Sequence, residues 1–129
     1  MRTGPIFGAI LSTLLLAALA FADTAATANK WRIELDGQAL KTGDMQFRVT
    51  PRQGESIDVV ATIRSGRAEN NVAKDVRDAF AAKLSPERYS VEVDDGEDIL
   101  IKKKDGQPDF ALELIESDVR NVNIKVESE

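Results

Sequence analysis

The chain has 129 residues, 43% hydrophobic and 30% charged, with a formal net charge of -5, no Cys and no His. That length suits one domain with its own core, and the missing residue types exclude disulfides, thiolate–imidazole zinc sites and nucleophiles activated by imidazole. The acidic balance argues against a nucleic-acid partner, which needs clustered positive charge; the one basic run, Lys102-Lys103-Lys104, meets Asp105 at once and reads as a solvated strand end.

Residues 1–22 read as a cleavable export signal. Arg2 gives a positive start, residues 6–21 are small or apolar apart from Ser12 and Thr13, and Ala20-Phe21-Ala22 forms an A-x-A site with cleavage before Asp23. Ala26-Thr27-Ala28 is a second such site, with cleavage before Asn29. The apolar run is at the short end for a span and lacks interfacial anchors, so no stable membrane insertion is expected once the signal is removed. Removing Arg2 takes the net charge from -5 to -6. An exported chain without Cys points to a bacterial periplasm or the medium. Residues 23–30, small and rich in Ala and Thr, are expected to be a flexible tail, and residues 31–129 a single domain.

Alternation then takes over. Trp31, Ile33 and Leu35 alternate with Arg32 and Glu34, and Met45, Phe47 and Val49 alternate with Gln46, Arg48 and Thr50. Ile57, Val59, Ala61 and Ile63 form a third half-buried face, with Val60 its one breach. Asp36-Gly37 and Pro51-Arg52-Gln53-Gly54 mark turns.

Residues 68–84 predict the only amphipathic helix. Val72, Ala73, Val76, Ala79, Phe80 and Leu84 fall within an arc of roughly 140°, with Lys74, Asp75, Arg77 and Asp78 pointing away. Asn70 is the expected cap, Glu69 and Lys83 suit the two ends of the dipole, and Ser85-Pro86 forbids continuation.

Past the helix, Tyr89, Val91 and Val93 share a face, and a three-residue turn Asp94-Asp95-Gly96 sets Val91 against Ile99 and Tyr89 against Ile101. Across Asp105-Gly106-Gln107-Pro108, Lys104 is expected to face Asp109, and Ile101 to lie level with Leu112. Asn121 is the residue best suited to positive φ in the final turn.

The order βββαββββ predicts an α+β fold with a mostly antiparallel sheet of about seven strands. The helical crossover is of a length that links parallel neighbours, and the short connections imply antiparallel ones. Seven strands spaced about 4.8 Å apart span on the order of 29 Å, against about 10–12 Å for a helix, so the sheet must curl or leave a face open. Curling is expected, with a monomer or weak dimer. Phe110, Leu112, Leu114, Val122, Ile124 and Val126 form the apolar face that becomes an interface if it stays open.

Chemistry is sparse. Asp94, Asp95, Glu97 and Asp98 are candidate calcium ligands, but their spacing is not that of an EF-hand and a solvated turn is the simpler reading. Trp31 and Tyr89 are candidate ligand-stacking residues, each placed where core packing is the commoner role. No cofactor and no catalytic residue is indicated. Residues 55–62, 72–84, 89–93 and 99–102 resemble a strand–helix–hairpin module found in phage tail and flagellar filament proteins, and the helix–hairpin order is similar to that of small periplasmic domains that bind lipid or protein surfaces. The expectation is an exported, non-enzymatic domain acting through protein contacts, by a partner or by weak self-association. The alternative is a periplasmic binding module for a small molecule or lipid head group, seated between helix and sheet. A carboxylate-dependent hydrolase ranks third.

Overall fold

The computed structural model describes residues 25–129; the expected export signal and the first two residues of the expected tail lie outside them. Each short alternating segment has one face to bury, and seven strands result among the described residues: β1 (Lys30–Asp36), β2 (Gly43–Pro51), β3 (Ile57–Ile63), β4 (Tyr89–Asp94), β5 (Asp98–Lys103), β6 (Phe110–Ser117) and β7 (Asn123–Ser128). The helix α1 (Glu69–Lys83) stands between β3 and β4 in the chain. The fold is α+β, and its strands pair antiparallel in two sheets ordered β4-β5-β1-β7 and β3-β2-β6.

Both sheets and the helix supply one core. Ile33 and Leu35 enter from β1, Phe47 and Val49 from β2, Val59 and Ile63 from β3, and Ile99 and Ile101 from β5. The surplus of apolar strand faces is therefore resolved by folding two halves of the array over a shared interior. In β1, β2 and β3 the inward residues alternate as the sequence predicts, with Val60 outside at 51% exposure, whereas β5 and β6 each bury three residues in a row, Ile99–Ile101 and Phe110–Leu112.

The helix buries Val72, Ala73, Val76 and Phe80, with Leu84 buried just beyond its end and Ala79 partly buried. The Phe80 ring packs against Phe47, centroids 5.1 Å apart and planes tilted by 51°. Its start differs from expectation: Asn70 lies inside the first turn, and the N-cap position is Ala68, with no side-chain cap. The Ala68 carbonyl accepts from the N–H groups of Asn71 and Val72, both at 2.9 Å. A docked apolar stripe stabilises the helix well enough that its exposed first turn can leave free donors to water.

Several expected neighbours do not pair. β1 and β2, β5 and β6, and β6 and β7 belong to different sheets, although β6 and β7 touch. β3 and β4 are not parallel neighbours either: they are outer strands of opposite sheets, and α1 packs against both. Alternation fixes which face a strand buries but not which strand lies beside it. Thus Ile101 stands opposite Trp31 and Val91, and Leu112 opposite Val49.

The β4–β5 turn has three residues, one position later than predicted. Asp95-Gly96-Glu97 forms it, Asp94 pairs with Asp98, and Val91 meets Ile101. Asp95 and Gly96 both adopt positive φ, 54° and 81°. Moving the turn by one residue shifts the register by two, so every side chain keeps its expected face. Asn121 takes its predicted positive φ, at 70°.

Candidate interaction surface

β6 and β7 are outer strands of their two sheets, so each presents an edge to the other without a ladder between them. The gap is pinned at both ends. At the β6–β7 turn, the Leu40 N–H donates to the Arg120 carbonyl at 3.2 Å and the Asn121 side-chain amide donates to the Gln38 carbonyl at 3.0 Å. Gly37, at a φ of 116°, approaches so closely that a Cβ there would sit 2.1 Å from the Asn121 carbonyl oxygen. At the other end Ala28 and Phe110 exchange backbone hydrogen bonds of 2.9 and 3.0 Å, and the Trp31 indole N–H donates to the same Phe110 carbonyl at 2.8 Å.

Between the pins, the second half of β6, from Glu113 to Ser117, is exposed. Leu114 stands opposite Phe47 and Glu116 opposite Gln46, which leaves Ile115 as the extra residue of a β-bulge. Leu114 is 36% and Ile115 38% exposed. Two adjacent large apolar side chains thus sit on an unpaired strand edge, flanked by Glu113 and Glu116. The sequence carries the signal of this bulge, since Leu114-Ile115 breaks the alternation of Phe110, Leu112 and Leu114.

Of the six residues expected to form an open apolar interface, five serve the chain's own core. Phe110, Leu112 and Val122 are buried, and Ile124 and Val126 pack against the core half-buried. Leu114 alone stays at the surface, because the split into two sheets wraps the remainder inward.

The candidate ligand-stacking residues are packed inside. Trp31 is buried with its N–H satisfied, and Tyr89 is buried edge-on to Phe110, centroids 5.2 Å apart at 83°. Burial raises the Tyr89 hydroxyl above the ordinary tyrosine value, with the Arg88 charge opposing.

The candidate metal ligands are divided. Asp94 and Asp98, cross-strand partners on the outer face of the four-stranded sheet, both lie 2.9 Å from Arg32 Nη1. Arg32 also binds Glu129 through Nε. Hydrogen bonds that Arg32 donates to Glu129, Asp94 and Asp98 hold the guanidinium far above its usual range, and Arg32 holds the Glu129 carboxyl below its own. Asp95 and Glu97 stay in the turn; among the described residues no group of three acidic side chains is placed to hold an ion. Arg32 was missed as a cross-strand partner because the pairing of β1 with β5 spans most of the chain.

Two carboxyls are raised. Glu34 is raised first by a hydrogen bond with Glu127, then by burial and by the charge of Glu127. Glu97 is raised first by burial, then by Glu69, Asp98, Asp95 and Asp36. Glu34 and Glu127 lie on the outer sheet face, not in a cleft. Where α1 meets β3 there is an open groove of about 560 Å³ lined by Thr62, Arg64, Arg67, Asp75 and Asp78, with no aromatic residue. Arg67 is engaged there by both oxygens of Asp75, at 2.9 and 2.8 Å. The lysines of the basic run are partly answered by acids, Lys102 by Glu92 at 3.8 Å and Lys103 by Asp109 at 3.9 Å.

Among the described residues no helix is long and apolar enough to cross a membrane. No protein-family model matches the chain, and no curated protein matches it in sequence.

Proposed function

We propose that the protein is an exported domain, periplasmic or secreted, that works without catalysis through protein contact, as an accessory or assembly subunit. The observation that carries this reading is the open stretch of β6, where Leu114 and Ile115 stand exposed side by side on an unpaired edge, whereas the other exposed large apolar residues, Leu40 and Val60, stand singly. Such an edge offers backbone donors and acceptors to an extended segment of another chain, and its apolar side chains add buried area. Export is supported by Arg2, the apolar run of residues 6–21 and the A-x-A spacing that follows. A ligand module between helix and sheet fits less well, because Phe80 and Phe47 fill that space and the groove beside it is polar. A hydrolase fits less well too, because Asp94 and Asp98 are paired to Arg32 and Glu34 lies on an open face.

Light scattering and partner capture on the exported protein and its Leu114→Lys variant test the reading. The expected result is self-association, or a co-purifying protein, that the variant loses while its circular dichroism is unchanged. Identical mass and identical co-purifying proteins for both would overturn it.

A further inference from the structure

The end of the segment that composition marks as a flexible tail is built into the fold. Ala28 bridges to Phe110, a residue with no exposed surface, through two backbone hydrogen bonds. Arg52 Nη2 donates to Thr27 Oγ1 at 2.9 Å, and the Lys103 N–H donates to the Asn29 carbonyl at 3.1 Å. Ala25, Ala26 and Thr27 line a groove of about 490 Å³ together with Arg52 and Ala111. Ala111 is opposite Thr50 on the outer side of β2–β6, yet only 2% of it is exposed. Residues 25–28 therefore act as a strap across that sheet.

The same residues contain the second A-x-A sequence, Ala26-Thr27-Ala28. Its two roles are incompatible. Cleavage before Asn29 removes Thr27 and Ala28, strips the buried Phe110 N–H of its acceptor and leaves Arg52 without Thr27. Conversely, a peptidase must hold its substrate as an extended free backbone, and Ala28 gives its own N–H and C=O to Phe110 once the domain folds. We infer that export processing occurs at Ala20-Phe21-Ala22, before Asp23, and that residues 25–28 are retained as a structural strap that protects the second site. This rests on the export reading above.

The full chain, expressed in an exporting bacterium, tests it by intact mass. The expected N-terminus is Asp23. An N-terminus at Asn29 would overturn the inference and leave export standing, whereas an intact Met1 chain in the membrane fraction would overturn export itself. Ala20→Leu places a large side chain in the upstream site and forces any cutting downstream. Efficient cutting of that variant before Asn29 would overturn the protection of the second site, and any such product is expected to exchange its Phe110 amide hydrogen about tenfold faster or more than the Asp23 product. Unchanged protection of Phe110 would overturn the strap. Failure of Ala20→Leu to be cut at all would support it, since the downstream site is then no substrate.

Discussion

Between β3 and β4 the space is filled by α1, which drives Val72, Ala73, Val76 and Phe80 into the shared core. Between β6 and β7 no such element intervenes, and the gap is held at its two ends by hydrogen bonds and close backbone approach, around Gly37 and Asn121 at one end and Ala28, Trp31 and Phe110 at the other. β6 and β7 also bury Phe110, Leu112 and Val122 in the shared core, but the space between them is closed by different physics from the space that α1 fills. Burying a large apolar side chain contributes about 1.5–3 kcal/mol, while a hydrogen bond contributes on the order of 0.5–1.5 kcal/mol net. The helix side should therefore behave as the rigid half of the molecule, and the β6–β7 side as the half that opens locally and meets other chains.

Removing Phe80 is the strongest way to break this comparison. Phe80→Ala is expected to cost about 3–5 kcal/mol, since the ring is fully buried against Phe47 and one aromatic cannot be replaced by local collapse. Arg77→Ala, which removes an exposed pair with Asp78, should stay within about 0.5 kcal/mol. Urea denaturation of both measures the difference, and equal losses would mean that α1 does not close its side by apolar burial.

Next in size is Gly37→Ala. The added Cβ meets the Asn121 carbonyl at 2.1 Å and the backbone sits at positive φ, so about 1–3 kcal/mol is expected. Its particular signature is regional: amide exchange should quicken at Arg120, Asn121 and Val122 before it does in α1. Uniform quickening would erase the distinction between the two sides. Leu114→Lys should act on association with little loss of stability, because Leu114 is already 36% exposed.

The features legible in the sequence are those set by near neighbours. The stripe from Val72 to Leu84, the inward faces of Trp31, Ile33 and Leu35, and the positive φ of Asn121 all follow from spacing or residue type within a few positions. The hairpin pairings of β2 with β3 and β4 with β5 were legible, but the long-range ones were not, because β1 lies between β5 and β7 while β2, β3 and β6, which intervene in the chain, belong to the other sheet. Arg32 gathers Asp94, Asp98 and Glu129 only once that pairing exists. The strap was hidden for the same reason: nothing local to Thr27-Ala28 announces Arg52 or Phe110. Ile115 was the exception, since its break in alternation is visible in the chain, and a bulge at a strand edge is its usual meaning.

Acid and base should sharpen the comparison by the smallest margin, through the β1–β7 side. Glu129 and Asp58 are held below the ordinary carboxylate range, chiefly by hydrogen bonds from Arg32 and Arg48 respectively. Their contribution is present above the unfolded value of about 4.3 and 3.9 respectively, and is lost as pH falls through the lowered folded values. Glu34 and Glu97 are raised, so they act in the opposite sense: the native state prefers their protonated form, and that preference is lost as pH rises through their folded values. The two effects together place the maximum of this contribution near the unfolded carboxylate values, with a decline toward neutrality and another into acid. Urea midpoints across this range measure the profile. Glu34→Gln should flatten the neutral limb, because it removes the carboxyl shared with Glu127, and Glu129→Gln should flatten the acid limb, because it removes a ligand of Arg32 at the end of the chain. A profile that rises without a maximum, or one that both variants leave unchanged, would mean that these outer-face charges do not hold β7 to β1.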